Sequence, residues 1–163
     1  MNRTAHQLTF MLAFAIIAFA RGAEPITLAG VVTRVKDGDT LVLRSNGRDY
    51  TIRLAEIDAP EKRQPGGLAA RQQLEAICFG KTVTIDSQGA DRYGRTIAHV
   101  SVGRVNISER MVQLGHAWRY DAYSKSARLK ELQQEAQQAK RGLWAAQEKP
   151  IPPWEWRRRD RRR

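Results

Sequence analysis

The segment RVKDGDTLVLRSNGRDYTIRLAEIDAPE, residues 34–61, has the pattern of a β-hairpin with acidic residues at both ends. Residues 40–43 are apolar or β-branched, and the Ser-Asn-Gly that follows at 45–47 is a strong hairpin turn. Residues 50–57 then alternate between two faces, as expected for a strand with one buried side. Pro60 ends this second strand because proline cannot donate a hydrogen bond to a neighbouring strand.

The regions around the hairpin predict further strands and helices. The other predicted strands are 26–36, 81–86 and 95–102. The predicted helices are about 67–79, 107–114 and 125–141. Strands that come first, with helices inserted late, indicate an α+β fold. We expect a five-stranded OB-type β-barrel with three helices packed on it.

Basic residues are concentrated at the C-terminus. The chain has 28 Lys and Arg against 17 Asp and Glu, a net charge of +11, and residues 157–163, RRRDRRR, hold six of the arginines. Such an excess favours polyanionic partners: nucleic acid, an anionic membrane surface or glycans. The proline, tryptophan and arginine composition of residues 148–163 predicts a basic tail that is extended or disordered.

Two interpretations stay open for each feature of this tail. Trp154 and Trp156 either stack on nucleobases or pin the tail to the barrel, and we favour pinning. The arginine run is either a solubilising segment or a set of phosphate contacts, and we favour phosphate contacts on a long polymer. In both cases we expect the tail to act away from the catalytic site.

The N-terminal residues 1–23 have the pattern of a secretory signal. Arg3 precedes an apolar run of 13 residues, Leu8–Ala20, and small residues suit cleavage after Ala20 or Ala23. A membrane anchor is the alternative, but the run is shorter than the roughly 20 apolar residues that a span needs. We therefore expect an exported protein, either periplasmic or secreted.

Cysteine and histidine are too scarce for a disulfide or a structural zinc site. Cys78 is the single cysteine, and the histidines are His6, His99 and His116. Cys78 lies in the apolar phase of a predicted helix, which indicates a buried thiol rather than a reactive one.

The two ends of the hairpin bring carboxylates together. Asp39 starts one strand and Asp58 ends its antiparallel neighbour, so both should lie at the same end of the sheet, flanked by Asp37 and Glu61. Clustered carboxylates repel one another and need a cation, and oxygen ligands without His or Cys suit Ca²⁺ or Mg²⁺. The alternative is that Asp-Gly only forms a turn.

Two arginines complete a pattern that suits phosphodiester chemistry. Arg53 is the one long charged side chain of its strand, and Arg95 begins the fifth predicted strand. Guanidinium groups bind phosphate oxygens in bidentate fashion, and a nearby carboxylate such as Glu61 can activate water. The alternatives are a surface salt bridge from Arg53 to Asp49 or Glu56, and a loop-edge charge for Arg95.

KDGDTLVL, YTIRLAEIDAPE and ADRYGRTIAHV, in this order and spacing, resemble the staphylococcal nuclease (thermonuclease) family. The resemblance runs from about Val31 to Trp144, which places the thermonuclease-like OB-fold domain at residues 24–147. It implies a five-stranded barrel with three helices. It also implies Ca²⁺-dependent hydrolysis of DNA and RNA with low sequence specificity, as an endonuclease or exonuclease of the thermonuclease type.

The resemblance also implies roles for individual residues. Asp39 and Asp58 match the carboxylate ligands of Ca²⁺, Ala59 matches the residue that gives its backbone carbonyl to the ion, and Asp37 matches an outer-shell acid. The residues that match groups acting on the substrate are Arg53 and Arg95 on the scissile phosphate, Glu61 as general base, Arg92 and Tyr93 on a neighbouring phosphate, and Tyr123 against a base.

One position departs from the family pattern. Asp121 stands where a second base-stacking tyrosine is expected, and Tyr120 or Trp118 is the candidate substitute. The sequence thus predicts an exported Ca²⁺-dependent nuclease that acts on DNA and RNA, as a monomer without an obligate protein partner. Its rivals are a non-catalytic nucleic-acid-binding OB-fold protein and a cationic protein that binds envelope glycans or anionic lipid.

Overall fold

The computed structural model describes residues 27–161. The predicted signal segment, with its cleavage positions, and Arg162 and Arg163 lie outside this range. The strands are β1 Thr27–Val35, β2 Thr40–Ser45, β3 Arg48–Leu54, β4 Ile57–Asp58, β5 Thr82–Ala90, β6 Thr96–Val102, β7 Val105–Asn106 and β8 Trp118–Arg119. The helices are α1 Gly67–Cys78, α2 Ile107–Gln113, α3 Ala127–Gln138 and α4 Pro153–Asp160, with a 3₁₀ turn at Gly142–Ala145. None of the described helices has the length and apolar character needed to cross a membrane.

The main sheet closes into a barrel, as the sequence predicts. Its strand order is β3-β2-β1-β5-β6-β7, and a parallel pairing between β3 and β6 joins the two sides. The hairpin turn also forms as predicted, because Asn46 and Gly47 both take positive φ angles, 48° and 74°. The α+β OB-type fold is therefore confirmed, and the hairpin lies where the barrel closes.

The core fills the barrel and the space beneath the first three helices. Barrel strands contribute Val32, Leu41, Leu43, Ile52 and Leu54, and the helices contribute Leu74, Met111, Leu129 and Leu132. Cys78 is fully buried among them, and burial raises the pKa of its thiol to about 12. The prediction of a buried, unreactive cysteine agrees with this placement.

The C-terminal segment differs from the prediction. Residues Pro153–Asp160 form α4 and are not extended or disordered, so the fold has a fourth helix. Pro153 occupies the first turn, where a missing N–H costs nothing, and it is buried against the domain. Composition alone predicts disorder here. A few apolar contacts with the folded domain are enough to hold a short helix in place, and composition does not show those contacts.

Candidate active site

The hairpin brings Asp39 and Asp58 to one end of the barrel, with Arg53 between them. Thr40 pairs with Arg53 across the two strands, and the backbone N–H of Leu54 donates to the carbonyl of Asp39 at 2.8 Å, which places Asp39 next to the end of β3. Arg53 Nη1 lies 3.1 Å from Asp39 Oδ2, and Arg53 Nη2 donates to Asp58 Oδ1 at 2.9 Å. Both carboxylates are buried, and neither Asp49 nor Glu56 pairs with this arginine. The site therefore has a preformed acid–arginine–acid bridge.

Local backbone geometry explains the Asp-Gly-Asp sequence. A Cβ atom at Gly38 would lie 2.7 Å from the Cβ atoms of both Ala59 and Ala70, so only glycine lets the turn approach α1 this closely. The Asp39 carboxylate then accepts a hydrogen bond from the backbone N–H of Ala59 at 2.8 Å and another from Thr40 Oγ1 at 3.1 Å. These donors fix the orientation of Asp39.

Burial makes the negative charge at this end of the barrel costly. Desolvation, followed by the charge of Asp39, raises the pKa of Asp37 to about 6. Desolvation also raises the pKa of Asp58; the hydrogen bond from Arg157 opposes this rise, and the charge of Asp39 adds to it. A cation placed among these oxygens would therefore be bound favourably.

The donor set fits a hard divalent cation. Asp39, in the turn just before β2, and Asp58, in β4, supply buried carboxylate oxygens, and Ala59 is next in sequence to Asp58. Within residues 27–161, no group of three or more His, Cys, Asp or Glu side chains surrounds a common point. Backbone carbonyls and water would thus have to complete the shell, as hard cations commonly allow.

Arg95 borders the acid pair and does not contact it. Its Nε donates to Asp91 Oδ2 at 2.7 Å, and its Nη1 lies 3.4 Å from Thr40 Oγ1, beside Asp39. Arg92 lies over the exposed Tyr93 ring at 5.0 Å, and Arg95 lies over the same ring at 5.7 Å. The loop between β5 and β6 therefore presents two guanidinium groups and one aromatic ring at the rim of the site.

Glu61 is held by a residue that the sequence interpretation placed elsewhere. Arg157, in α4, donates from Nη1 to Glu61 Oε1 at 2.8 Å. The same guanidinium contacts both oxygens of Asp58, at 3.2 Å and 2.7 Å. The expectation that the tail acts away from the catalytic site is therefore wrong for Arg157. No spacing rule could have shown this, since the contact depends on how α4 packs.

The aromatic residues near the site differ in how accessible their rings are to a base. Tyr123 is exposed, and its ring centroid lies 4.9 Å from that of Tyr120. Tyr120 in turn stacks on Trp154 of α4, at 5.5 Å and nearly parallel. Trp118 is buried and packs edge-on against Trp144, so it is not available to stack on a base. Tyr120 is the remaining substitute for the expected second tyrosine.

A cavity of about 410 Å³ lies beneath the C-terminal segment, away from the acids. Its lining includes Gly66, Leu143, Ile151 and Trp156, and it includes none of the predicted site residues. Trp156 borders this cavity, and the stacking of Trp154 on Tyr120 agrees with the favoured interpretation that the tail tryptophans hold the segment against the domain.

The barrel and its acid–arginine cluster together define an OB-fold protein with a site suited to phosphate chemistry. A family model described as staphylococcal nuclease homologue matches residues 51–146, more than half of the chain. The chain therefore belongs to the staphylococcal nuclease family, a family of metal-dependent nucleases.

Relatives from several bacteria cover most of the chain. An uncharacterized endonuclease of Escherichia coli is 43% identical over 131 residues, which span 80% of this chain and 85% of that protein. An uncharacterized endonuclease of Haemophilus influenzae is 40% identical and covers 80% of this chain and 73% of its own. A micrococcal nuclease of Shigella flexneri is 40% identical over 79% of this chain and 80% of its own.

Proposed function

We propose that the protein is an exported Ca²⁺-dependent nuclease that hydrolyses phosphodiester bonds of DNA and RNA with little sequence preference. The observation that carries this proposal is the pair of buried carboxylates, Asp39 and Asp58, joined by Arg53 at the closing point of the barrel. A merely structural ion pair would not need two buried acids on one arginine, because the second acid adds repulsion and desolvation cost.

Different residues of the chain would bind the metal, bind the phosphate and accept the proton. Asp39 and Asp58, with the carbonyl of Ala59, would hold the ion and Asp37 would support it; the bound ion supplies charge neutralisation at a phosphate oxygen. Arg53 is fixed on the hairpin and has a guanidinium fork that suits the equatorial oxygens of the transition state. Glu61 is linked to Asp58 through Arg157, and as a carboxylate it would accept the proton of the attacking water.

Arg95 needs only a side-chain movement to join Arg53. Its present contact with Asp91 is a hydrogen-bonded pair on a loop, and its side chain is about one-third exposed, at 31%. A hydrogen bond between charged groups is worth about 1.5–3 kcal/mol, and a transition state that carries more negative charge than one carboxylate can outcompete Asp91. Arg92 and Tyr93, on the same loop, would then contact the neighbouring phosphate.

Contacts to phosphate and base faces carry little sequence information. Arginines bind the backbone, and the exposed ring of Tyr123 offers a face on which any base can stack, whereas one face of Tyr120 is already covered by Trp154. We therefore propose low base preference, and we propose cleavage of both DNA and RNA because phosphates and base faces are common to both.

The proposal of export rests on residues 1–23. Ca²⁺ is abundant outside the cytoplasm, where a site with few carboxylates suffices. N-terminal sequencing of the protein recovered from the periplasm or medium tests this step, and a mature chain beginning after Ala20 or Ala23 is expected. A full-length chain recovered from the cytoplasm would overturn it.

A plasmid-nicking assay with purified protein tests the catalytic proposal. Supercoiled DNA and a single-stranded RNA should both be cleaved with Ca²⁺ and remain intact with a chelator. Cleavage with Mg²⁺ alone would change the metal assignment. Retention of DNA on a filter without cleavage under any divalent metal would favour the non-catalytic OB-fold alternative.

A further inference from the structure

The contact between Arg157 and Asp58 has a consequence for metal binding. Arg157 donates to both carboxylate oxygens of Asp58, and Arg53 donates to one of them as well. A carboxylate oxygen that already accepts hydrogen bonds from two charged donors has no lone pair left to bind a cation. Oδ1 of Asp58 is in this position, and Oδ2, which accepts only from Arg157 Nη2, keeps one lone pair beside the Arg157 guanidinium. A metal at either oxygen of Asp58 therefore meets the positive charge of Arg157.

Arg157 reaches Asp58 from a segment that is packed in place. The side-chain amide of Gln64 donates to the carbonyl of Ile151 at 2.6 Å, just before α4. At the start of α4 Pro153 is buried, and Trp154 stacks on Tyr120. We call residues 148–161 the C-terminal arm. The packing of this arm places the Arg157 guanidinium next to Asp58.

The charges of the metal-free site explain why an arginine is needed there. Asp39 and Asp58 are buried, Asp37 is half-buried and precedes Asp39 by two residues, and the cation that the hairpin itself pairs with the two buried acids is Arg53. Buried carboxylates without a counter-charge are strongly destabilising. Arg157 supplies the second positive charge from outside the barrel.

We propose that Arg157 is a built-in counter-cation of the site and that it competes with the divalent metal for Asp58. The inference rests on the proposed metal-dependent function and adds to it a coupling between the metal and the C-terminal arm. Because linkage is reciprocal, the arm weakens metal binding and the metal loosens the arm. The arm thereby limits how much of the protein is active at low metal concentration.

Calorimetric titration with Ca²⁺ tests this competition. Arg157→Met should bind Ca²⁺ about tenfold more tightly than the wild type, within the range of about 5- to 150-fold typical of coupled sites. Arg159→Met is the matched control, since it removes the same charge from an exposed position of the same helix and should change the dissociation constant less than about twofold. Arg157→Lys keeps the charge and loses the fork, so it should fall between the wild type and Arg157→Met.

Amide hydrogen exchange of the wild type distinguishes displacement of Arg157 by the metal from electrostatic repulsion between Arg157 and the metal. If the metal displaces Arg157, saturating Ca²⁺ should speed exchange in residues 153–161 and leave the α3 amides unchanged. If Arg157 only repels the metal through space, exchange in the arm should not increase. This measurement needs no variant, so it remains decisive even if Arg157→Met folds poorly.

Failure of this inference is distinguishable from failure of the proposed function. A wild-type protein that neither binds Ca²⁺ nor requires it for cleavage would overturn both. A wild type that binds and uses Ca²⁺, with an unchanged dissociation constant in Arg157→Met or with slower exchange of the arm on metal binding, would overturn the competition alone.

Discussion

Arg157 donates to both carboxylate oxygens of Asp58, although 99 residues separate them in the chain. Asp58 lies at the end of the hairpin and Arg157 lies in the last helix, so the acidic site includes a residue from outside the family match at 51–146. The chemistry proposed for this protein therefore depends on groups from the barrel and on a group from the C-terminal arm.

Arg53→Lys should lower kcat about 10²- to 10³-fold on a dinucleotide substrate, with a smaller change in KM. Lysine keeps the positive charge but lacks the planar fork whose two nitrogens reach Asp39 and Asp58 separately and can bind two phosphate oxygens in bidentate fashion. Arg48→Lys, at the exposed start of β3, is the control and should behave as the wild type. Steady-state kinetics at saturating Ca²⁺ provide the measurement, and a kcat within twofold of wild type would remove Arg53 from the transition state.

Glu61→Gln should reduce kcat by about 10²- to 10⁴-fold while Ca²⁺ still binds. Glutamine has the shape of glutamate and cannot accept a proton from water. Glu135→Gln, on the exposed face of α3, is the matched control and should not change turnover. Single-turnover cleavage together with calorimetric Ca²⁺ binding checks both halves of the expectation. Unchanged turnover in Glu61→Gln would exclude it as the general base.

Neutralising the exposed arginines of α4 should flatten the salt dependence of binding to long DNA. Arg158, Arg159 and Arg161 are exposed, and replacing them with glutamine keeps the helix and leaves Arg157 in place. Each lost phosphate contact should lower the magnitude of the slope of log affinity against log salt by about 0.9.

The same triple variant should cleave a dinucleotide at the wild-type rate, since so short a substrate cannot reach the far side of α4. Salt titrations on long duplex and kinetics on the dinucleotide provide the two readouts. Equal salt slopes for both proteins would show that these arginines do not contact nucleic acid.

Cys78 should make stability depend on alkaline pH. Burial raises the pKa of its thiol from an ordinary 9.0 to about 12, so the unfolded chain releases the proton first. The contribution is fully present below pH 9 and is lost as the pH rises from 9 towards 12, at about 1.4 kcal/mol per pH unit. The difference in unfolding free energy between the wild type and Cys78→Ala, followed by urea denaturation, should shrink over this window. A constant difference would contradict the buried thiol assignment.

The sequence predicts the barrel and the approach of Asp39 to Asp58 because both depend on local signals. Turn chemistry at residues 45–47 sets the register, and antiparallel pairing then places Asp39 and Asp58 together whatever the rest of the chain does. The order of the motifs predicts the family for the same reason.

The parts that the sequence does not predict depend on packing between distant segments. Arg157 and Trp154 appear in the sequence as members of a polar, proline-spaced tail, and nothing in their spacing indicates contacts with Glu61 or Tyr120. Burial of Trp118 is likewise set by Trp144, 26 positions later. Contacts of this kind become visible only when the barrel surface on which they form is known.

Asp39→Asn tests the central claim, that the hairpin carboxylates hold the catalytic metal. Repulsion alone would make the metal-free variant more stable, but Asp39 accepts hydrogen bonds from Ala59 and Thr40 and pairs with Arg53. We therefore expect a stability loss of about 1–3 kcal/mol, small enough to leave the variant folded. Asp86→Asn, on the exposed face of β5, is the control.

The decisive measurement is the initial rate of plasmid nicking as a function of Ca²⁺ concentration for the wild type, Asp39→Asn and Asp86→Asn, with folding verified by circular dichroism. The account predicts that the wild type and Asp86→Asn follow the same saturable Ca²⁺ dependence, and that folded Asp39→Asn shows no Ca²⁺-stimulated nicking at concentrations that saturate the wild type. A folded Asp39→Asn with the wild-type Ca²⁺ dependence and rate would contradict it.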